Sequence, residues 1–194
     1  MSPFGRTRGW SSSSLARSAS LAEPSVRLAR YDDVSPSKEQ RSSFSCGEPS
    51  LDRWLATQAR QSMESRDAVT YLLVDDDSGR IAGYYCLSAG SVKKDQAPDQ
   101  LARRAPEPIP VVRMGRFAID SRYQGQGWGG ELLREALLSA VSGAELIGGR
   151  AVLVDAIGEE AAAFYRRYGF APSPIHPLQL FKSLQEIRAS AGLA

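Results

Sequence analysis

The segment Gln124-Gly125-Gln126-Gly127-Trp128-Gly129-Gly130 has the residue types of an anion cradle. Glycines let the backbone curl with its N–H groups turned inward. A helix start adds unpaired donors and partial positive charge. The flanks supply the frame: a strand-like run at 116–120 before the glycines and a helix-like run at 131–138 after them. The chemistry this suits is retention of a phosphorylated ligand, and the residues alone leave the ligand open. Gly125-x-Gly127-x-x-Gly130 literally matches the dinucleotide fingerprint, and Asp155 ends the next strand-like run about where a ribose-binding acid would sit. Two features count against that reading. About two-thirds of the chain precedes the loop, and the strands just upstream have an antiparallel pattern. There is no Gly-Lys-Ser/Thr, which excludes a Walker-type triphosphate loop. A tight turn without a ligand is the plain alternative.

The elements that must hold the cradle follow from periodicity. Residues 50–65 read as a helix capped by Ser50, with Leu51, Trp54, Leu55 and Ala59 on one stripe. Residues 69–74 and 81–87 read as strands joined through Asp75-Asp76-Asp77-Ser78-Gly79, an antiparallel hairpin. A short helix is expected at 96–104, then an extended link through Pro106, Pro108 and Pro110. Residues 111–119 form a strand with Gly115 as a candidate bulge. After the cradle come a helix with Leu132, Leu133, Ala136, Leu137, Ala140 and Val141 on one stripe, a buried strand at 151–154, a helix at 159–168 stopped by Gly169, and a last strand at 178–184. The order predicts a mixed α/β sheet in one domain spanning 26–194, preceded by a disordered extension at 1–25.

Composition narrows the setting. At 42% hydrophobic residues, the chain can bury an ordinary core. No apolar run reaches membrane-spanning length. The N-terminus has Arg6 and Arg8 followed by serines and no apolar stretch, so it is not a secretory signal; a transit peptide, an upstream extension or a misassigned start fits it equally. Two cysteines without pair spacing argue against a zinc site or a disulfide framework, so no metal is expected and a cytoplasmic setting is. The net charge of +2 is uneven, because the first thirty residues hold five Arg against Glu23. The remainder is net acidic, and overall basicity says nothing about nucleic acid. A local cluster remains: Lys93, Lys94, Arg103, Arg104, Arg113, Arg116 and Arg122, among several acids.

Gln124-x-x-Gly127-x-Gly129, followed about forty residues later by Phe164-Tyr165-Arg166-Arg167-Tyr168-Gly169-Phe170, resembles the GNAT acetyltransferase superfamily. A narrower resemblance spans about 44–184 and rests on five stretches. They are Phe44-x-Cys46-Gly47, Leu51-Asp52-x-Trp54-Leu55, Ile81-Ala82-Gly83-Tyr84-Tyr85, Pro108-Ile109-Pro110-Val111 and Gly115-Arg116-Phe117-Ala118-Ile119-Asp120. These are similar to the acetyltransferase toxins of bacterial type II toxin–antitoxin modules. The resemblance implies a mostly antiparallel twisted sheet with a V-shaped splay, flanked by helices. It implies acetyl-CoA as cosubstrate, with its pyrophosphate on the cradle (Gln124, Gly125, Gln126, Gly127, Trp128, Gly129, Gly130) and its pantetheine arm along Phe117-Ala118-Ile119. Gln124, Gly127 and Gly129 are the diagnostic positions, Gly125 and Gly130 being incidental to the motif. It further implies acetylation of the α-amino group of aminoacyl-tRNA, which blocks translation, a ribbon-helix-helix antitoxin as partner, and a possible homodimer.

Acetyl transfer from a thioester to an amine needs a held cofactor, a polarised carbonyl, a neutral amine and a proton for the leaving thiolate. Carried over from the family, Tyr165 is the general acid; a phenol is protonated at neutral pH. A core aromatic is the competing reading for Tyr165. No dedicated base stands out, and an α-amine, titrating near ~8, needs none. Glu159 and Glu160 fit a helix N-terminus more simply. Lys93, Lys94, Arg103, Arg104 and Arg116 are candidates for tRNA phosphates, although Arg116 could also pair with a neighbouring acid. His176 is expected in a turn, Cys46 and Cys86 as small buried residues, and Trp128 in packing beside the cradle. Transfer to a small amine or a protein N-terminus is the alternative within enzymes, and a non-catalytic coenzyme A-binding protein the alternative outside them.

Overall fold

The computed structural model describes residues 25–192. The extension expected to be disordered at 1–25 lies almost wholly outside the described residues. The elements run β1 (Val26–Arg30), α1 (Tyr31–Val34), α2 (Lys38–Ser42), α3 (Pro49–Thr57), α4 (Ala59–Glu64), β2 (Val69–Asp75), β3 (Ile81–Val92), α5 (Asp99–Ala102) and β4 (Ile109–Ile119). They continue with α6 (Trp128–Ile147), β5 (Ala151–Asp155), α7 (Glu159–Arg167), β6 (Ala171–Pro172), β7 (Gln179–Ser183) and α8 (Leu184–Ala191).

The seven strands form one sheet in the order β1-β2-β3-β4-β5-β7-β6. Every pairing is antiparallel except β4 with β5. The lone parallel step is the β4–α6–β5 crossover, so the repeated parallel units of a dinucleotide fold are absent among the described residues.

Alternation along β3 assigns the two faces of the sheet. Tyr84 points to the face covered by α1, α3 and α4, where it stacks on Trp54 with centroids 5.7 Å apart, meets Phe44 edge-on, and donates to the Leu51 carbonyl at 2.9 Å. Tyr85 points to the opposite face, stacks on Tyr71 at 5.0 Å and hydrogen-bonds Ser139 of α6 at 2.9 Å. That face is covered by α6, whose buried residues are the six of the expected stripe. A Cβ on Gly83 would meet Ile119 Cδ1 at 2.7 Å and the Ala118 carbonyl at 3.0 Å, so glycine there lets β3, β4 and α6 close together.

Two local expectations are corrected. Ser50 does not cap the helix after the Phe44 loop. Pro49 takes the first helical position, where its missing N–H costs nothing, and the cap falls to Glu48, which accepts from the Ser50 N–H. The expected 50–65 helix is broken at Gln58, with α4 beginning anew at Ala59.

Candidate active site

β4 and β5 pair only from Val111↔Ala151 to Met114↔Val154. Beyond Met114 the two strands part, and β4 runs on to Ile119 with β3 alone as neighbour. The parting coincides with the expected bulge. Cys86 faces Arg116 and Leu87 faces Met114, which leaves Gly115 as the extra residue. A bulge bends and twists its strand, so this one turns the end of β4 away from β5. The opening is a cleft of about 790 Å³. Gly115, Phe117, Ala118 and Ile119 line one side, and Ala156 and Gly158 of the β5–α7 loop with Phe164 and Tyr165 of α7 line another.

The glycine segment follows the C-terminal end of β4. Gly125 and Gly127 have φ of +72° and +91°, backbone that glycine adopts freely and other residues do not. Gly127 also caps α6 with no side-chain hydrogen bond; the Gly130 N–H donates to the Gly127 carbonyl at 3.1 Å, so the N–H groups of Trp128 and Gly129 are the ones left to a ligand. Gly129 and Gly130 serve packing: a Cβ on Gly130 would meet the Tyr168 hydroxyl at 2.5 Å, and one on Gly129 would meet Phe164 at 3.5 Å. The cradle and the Phe-Tyr helix, forty residues apart, are therefore in contact. Gly125 and Gly130 are not incidental to the structure, since one sets the turn and the other admits α7. Trp128 is half-buried at the helix start, packed against the core as expected.

Tyr165 lies on the inner face of α7, only 7% exposed, yet it lines the cleft. Its ring is wedged among Phe164, Phe170 and Phe117, at 5.3, 5.4 and 6.1 Å between centroids. Its hydroxyl makes no hydrogen bond among the described residues. Burial pushes its pKa well above the ordinary phenol value, so it stays protonated at neutral pH. Tyr165 is thus a core aromatic that also lines the cleft.

Other candidates fall out differently. The basic cluster comes apart: Arg113 pairs with Asp155, and Arg122 with the buried Asp120. Asp155 also accepts from Gln179, so the residue that suggested a ribose acid is held by its neighbours. Lys93, Lys94, Arg103 and Arg104 are exposed around the start of β4, and none lines the cleft. At ~3.3 Å per residue, Phe117 lies about 26 Å along the strand from Ile109. Arg116 does line the cleft. It makes no ion pair among the described residues; its guanidinium donates to the Gly115 carbonyl and sits 5.8 Å over the Trp54 ring. Glu159 is engaged by Arg166 at 2.6 and 3.0 Å, which lowers its carboxyl and leaves it a weak base, while Glu160 lies on the cleft wall. His176 is exposed in the β6–β7 turn, as expected. Cys86 is buried, but Cys46 is only half-buried and lines the cleft; burial pushes its thiol up to about 12, which makes it a poor nucleophile.

The sequence reading missed the wall opposite α7. Cys46, Gly47, Glu48, Ser50 and Leu51 form it, brought there by the loop into α3.

The glycine turns, the open edge of β4 and the cleft volume fit a long phosphorylated cofactor laid along a strand. Comparison with known proteins agrees. The acetyltransferase (GNAT) domain family matches residues 67–172. A tRNA-acetylating toxin of Mycobacterium tuberculosis (strain ATCC 25618 / H37Rv) is 39% identical over 166 residues, covering 86% of this chain and 95% of the relative. The solved structure of AtaT complexed with acetyl-methionyl-tRNAfMet superposes with a TM-score of 0.76 at 27% identity, covering 85% of this chain and 98% of that one. A mutant of the AtaT toxin bound to the C-terminus of the antitoxin AtaR and acetyl-CoA gives 0.69 at 26%, covering 84% and 96%. The stretch that the family matches contains β4, the glycine segment and Tyr165, and this chain belongs to the GNAT acetyltransferase family.

Proposed function

We propose that this protein uses acetyl-CoA to acetylate the α-amino group of aminoacyl-tRNA, and so acts as a translation-blocking toxin restrained by an antitoxin of the ribbon-helix-helix kind. The observation that carries the reading is the opening of β4 from β5, with a protonated tyrosine on its wall and a glycine cradle at its end. The substrate class rests on likeness to the tRNA-acetylating toxin and to AtaT with its acetylated tRNA. The antitoxin rests on likeness to the AtaT–AtaR complex.

The N–H groups of the 124–130 cradle, other than that of Gly130, which donates to the Gly127 carbonyl, hold the pyrophosphate, and the open edge of Phe117-Ala118-Ile119 orients the pantetheine arm. Acetyl-CoA supplies the activated acetyl group as a thioester. Tyr165 donates its proton to the departing sulfur, and the proton lost by the attacking amine restores the balance. Arg116, beside the cleft, holds the acceptor end. Lys93, Lys94, Arg103 and Arg104, at the other end of β4, reach the tRNA body.

This scheme sets the pH profile. Only the neutral amine attacks, so kcat/KM rises with pH through the amine titration, near ~8 for a free α-amino group and lower when the carboxyl is esterified. Above it the profile stays level to about pH 9, because burial holds Tyr165 in its acid form. Initial rates across the range check this, and a fall in rate between pH 7 and 9 would contradict it.

The function itself is tested in cell-free translation. Pre-incubating charged tRNA with the protein and acetyl-CoA should abolish its use by ribosomes, while omitting acetyl-CoA restores full synthesis. Equal inhibition without acetyl-CoA would count against the reading.

A further inference from the structure

The segment that carries the cofactor strand into the cradle is fastened to the opposite wall of the cleft. Ser45 N–H donates to the Asp120 carboxylate at 3.0 Å, and the Ser45 carbonyl accepts from both the N–H and the hydroxyl of Ser121 at 2.8 Å. Arg122 Nη2 donates to the Ser43 carbonyl at 3.0 Å. Gln124 Nε2 donates to the Cys46 carbonyl at 2.9 Å and to the Ile119 carbonyl at 2.8 Å. From behind, Asp52 of α3 accepts from Cys46 N–H at 2.8 Å and from the Ser45 hydroxyl at 3.2 Å.

The Gln124 bonds decide its role. A carboxamide has two N–H donors, and both are directed at main-chain carbonyls, one in the cofactor strand and one in the loop that lines the cleft. The side chain then has no donor left for a phosphate, and residue 124 can serve the cradle through its backbone N–H alone. Asp120 strengthens the same joint: it is 1% exposed, and its hydrogen bonds from Arg122 and Ser45 overcome its burial and hold its carboxyl below the ordinary range.

We infer that Gln124 is a positioning residue whose side chain ties the 44–48 loop to the cofactor strand, so that filling the cradle also fixes the wall that faces the acceptor. This rests on the proposed use of acetyl-CoA, but not on the identity of the acceptor.

Hydrogen exchange of the 44–48 region, with and without saturating acetyl-CoA, tests it in the full chain. In the wild type, acetyl-CoA should slow exchange there. In Gln124→Met, similar in length but without donors, exchange of the free protein at 44–48 should rise about tenfold, the order expected for losing one or two hydrogen bonds. The slowing by acetyl-CoA should vanish, while calorimetric affinity for acetyl-CoA stays within about threefold of wild type. Wild-type exchange at 44–48 together with a tenfold loss of acetyl-CoA affinity would overturn the inference, since the side chain would then serve the cofactor. Ser121→Ala guards against a folding defect. It removes one bond to the Ser45 carbonyl and should speed exchange of that region alone by about threefold; no change there would equally overturn it. If the wild type binds no acetyl-CoA, the proposed function fails, while exchange in the free proteins still judges the loop link.

Discussion

Tyr165→Phe lowers kcat by about two to four orders of magnitude, the usual range for removing a positioned general acid. The change deletes one oxygen from a ring held by Phe117, Phe164 and Phe170, so the shape of the cleft wall is preserved. Because the hydroxyl makes no hydrogen bond among the described residues, its loss orphans no partner, and thermal stability should hold or rise slightly. Affinity for acetyl-CoA should also hold, since the cradle and the β4 edge are untouched. Steady-state rates, calorimetry and a melting curve on one preparation separate these effects. A variant that binds acetyl-CoA normally and turns over at the wild-type rate would remove Tyr165 from the chemistry.

Gly127→Ala weakens acetyl-CoA binding by roughly tenfold. Nothing lies within 4 Å of a Cβ at Gly127, so no clash is involved. The cost is in the backbone, whose φ of +91° strains any L side chain by about 1–2 kcal/mol. The chain either bears that strain or relaxes toward negative φ and turns the cradle's N–H groups away. Gly143→Ala is the control. It also has nothing within 4 Å, but lies inside α6 with ordinary helical backbone. There the same substitution should stabilise the fold by about 0.5–1 kcal/mol and leave binding unchanged. Equal effects at the two glycines would mean that the left-handed turn at 127 does not shape the cradle.

What the sequence made legible was local. The α6 stripe, the β2–β3 hairpin, the Gly115 bulge and the helix of Tyr165 each follow from spacing within about twenty residues, and each is present. The four-residue α1 and five-residue α2 are too short for periodicity to declare them. β1 joins the sheet by pairing with residues 71–75, and α8 follows β7 without a break, so neither carried a separate signal. The far wall of the cleft was invisible for a stronger reason. Its bonds to Asp120, Ser121, Arg122 and Gln124 span 75 to 79 positions. The basic cluster divides because proximity in sequence does not say which way a strand turns its side chains. Arg113 meets Asp155 across the parallel pair, Arg122 folds back on Asp120 and Arg116 lines the cleft, while Lys93, Lys94, Arg103 and Arg104 stay at the far end of β4.

The central claim is that the acetyl group passes from acetyl-CoA to the amino acid esterified to tRNA. Mass spectrometry tests it most directly: charged tRNA is incubated with the protein and acetyl-CoA, digested with ribonuclease, and the terminal aminoacyl-adenosine is weighed. The account predicts one added acetyl group on the α-amine with the wild type and almost none with Tyr165→Phe. An unmodified aminoacyl end, with acetyl groups found instead on polyamines or protein lysines, would contradict it.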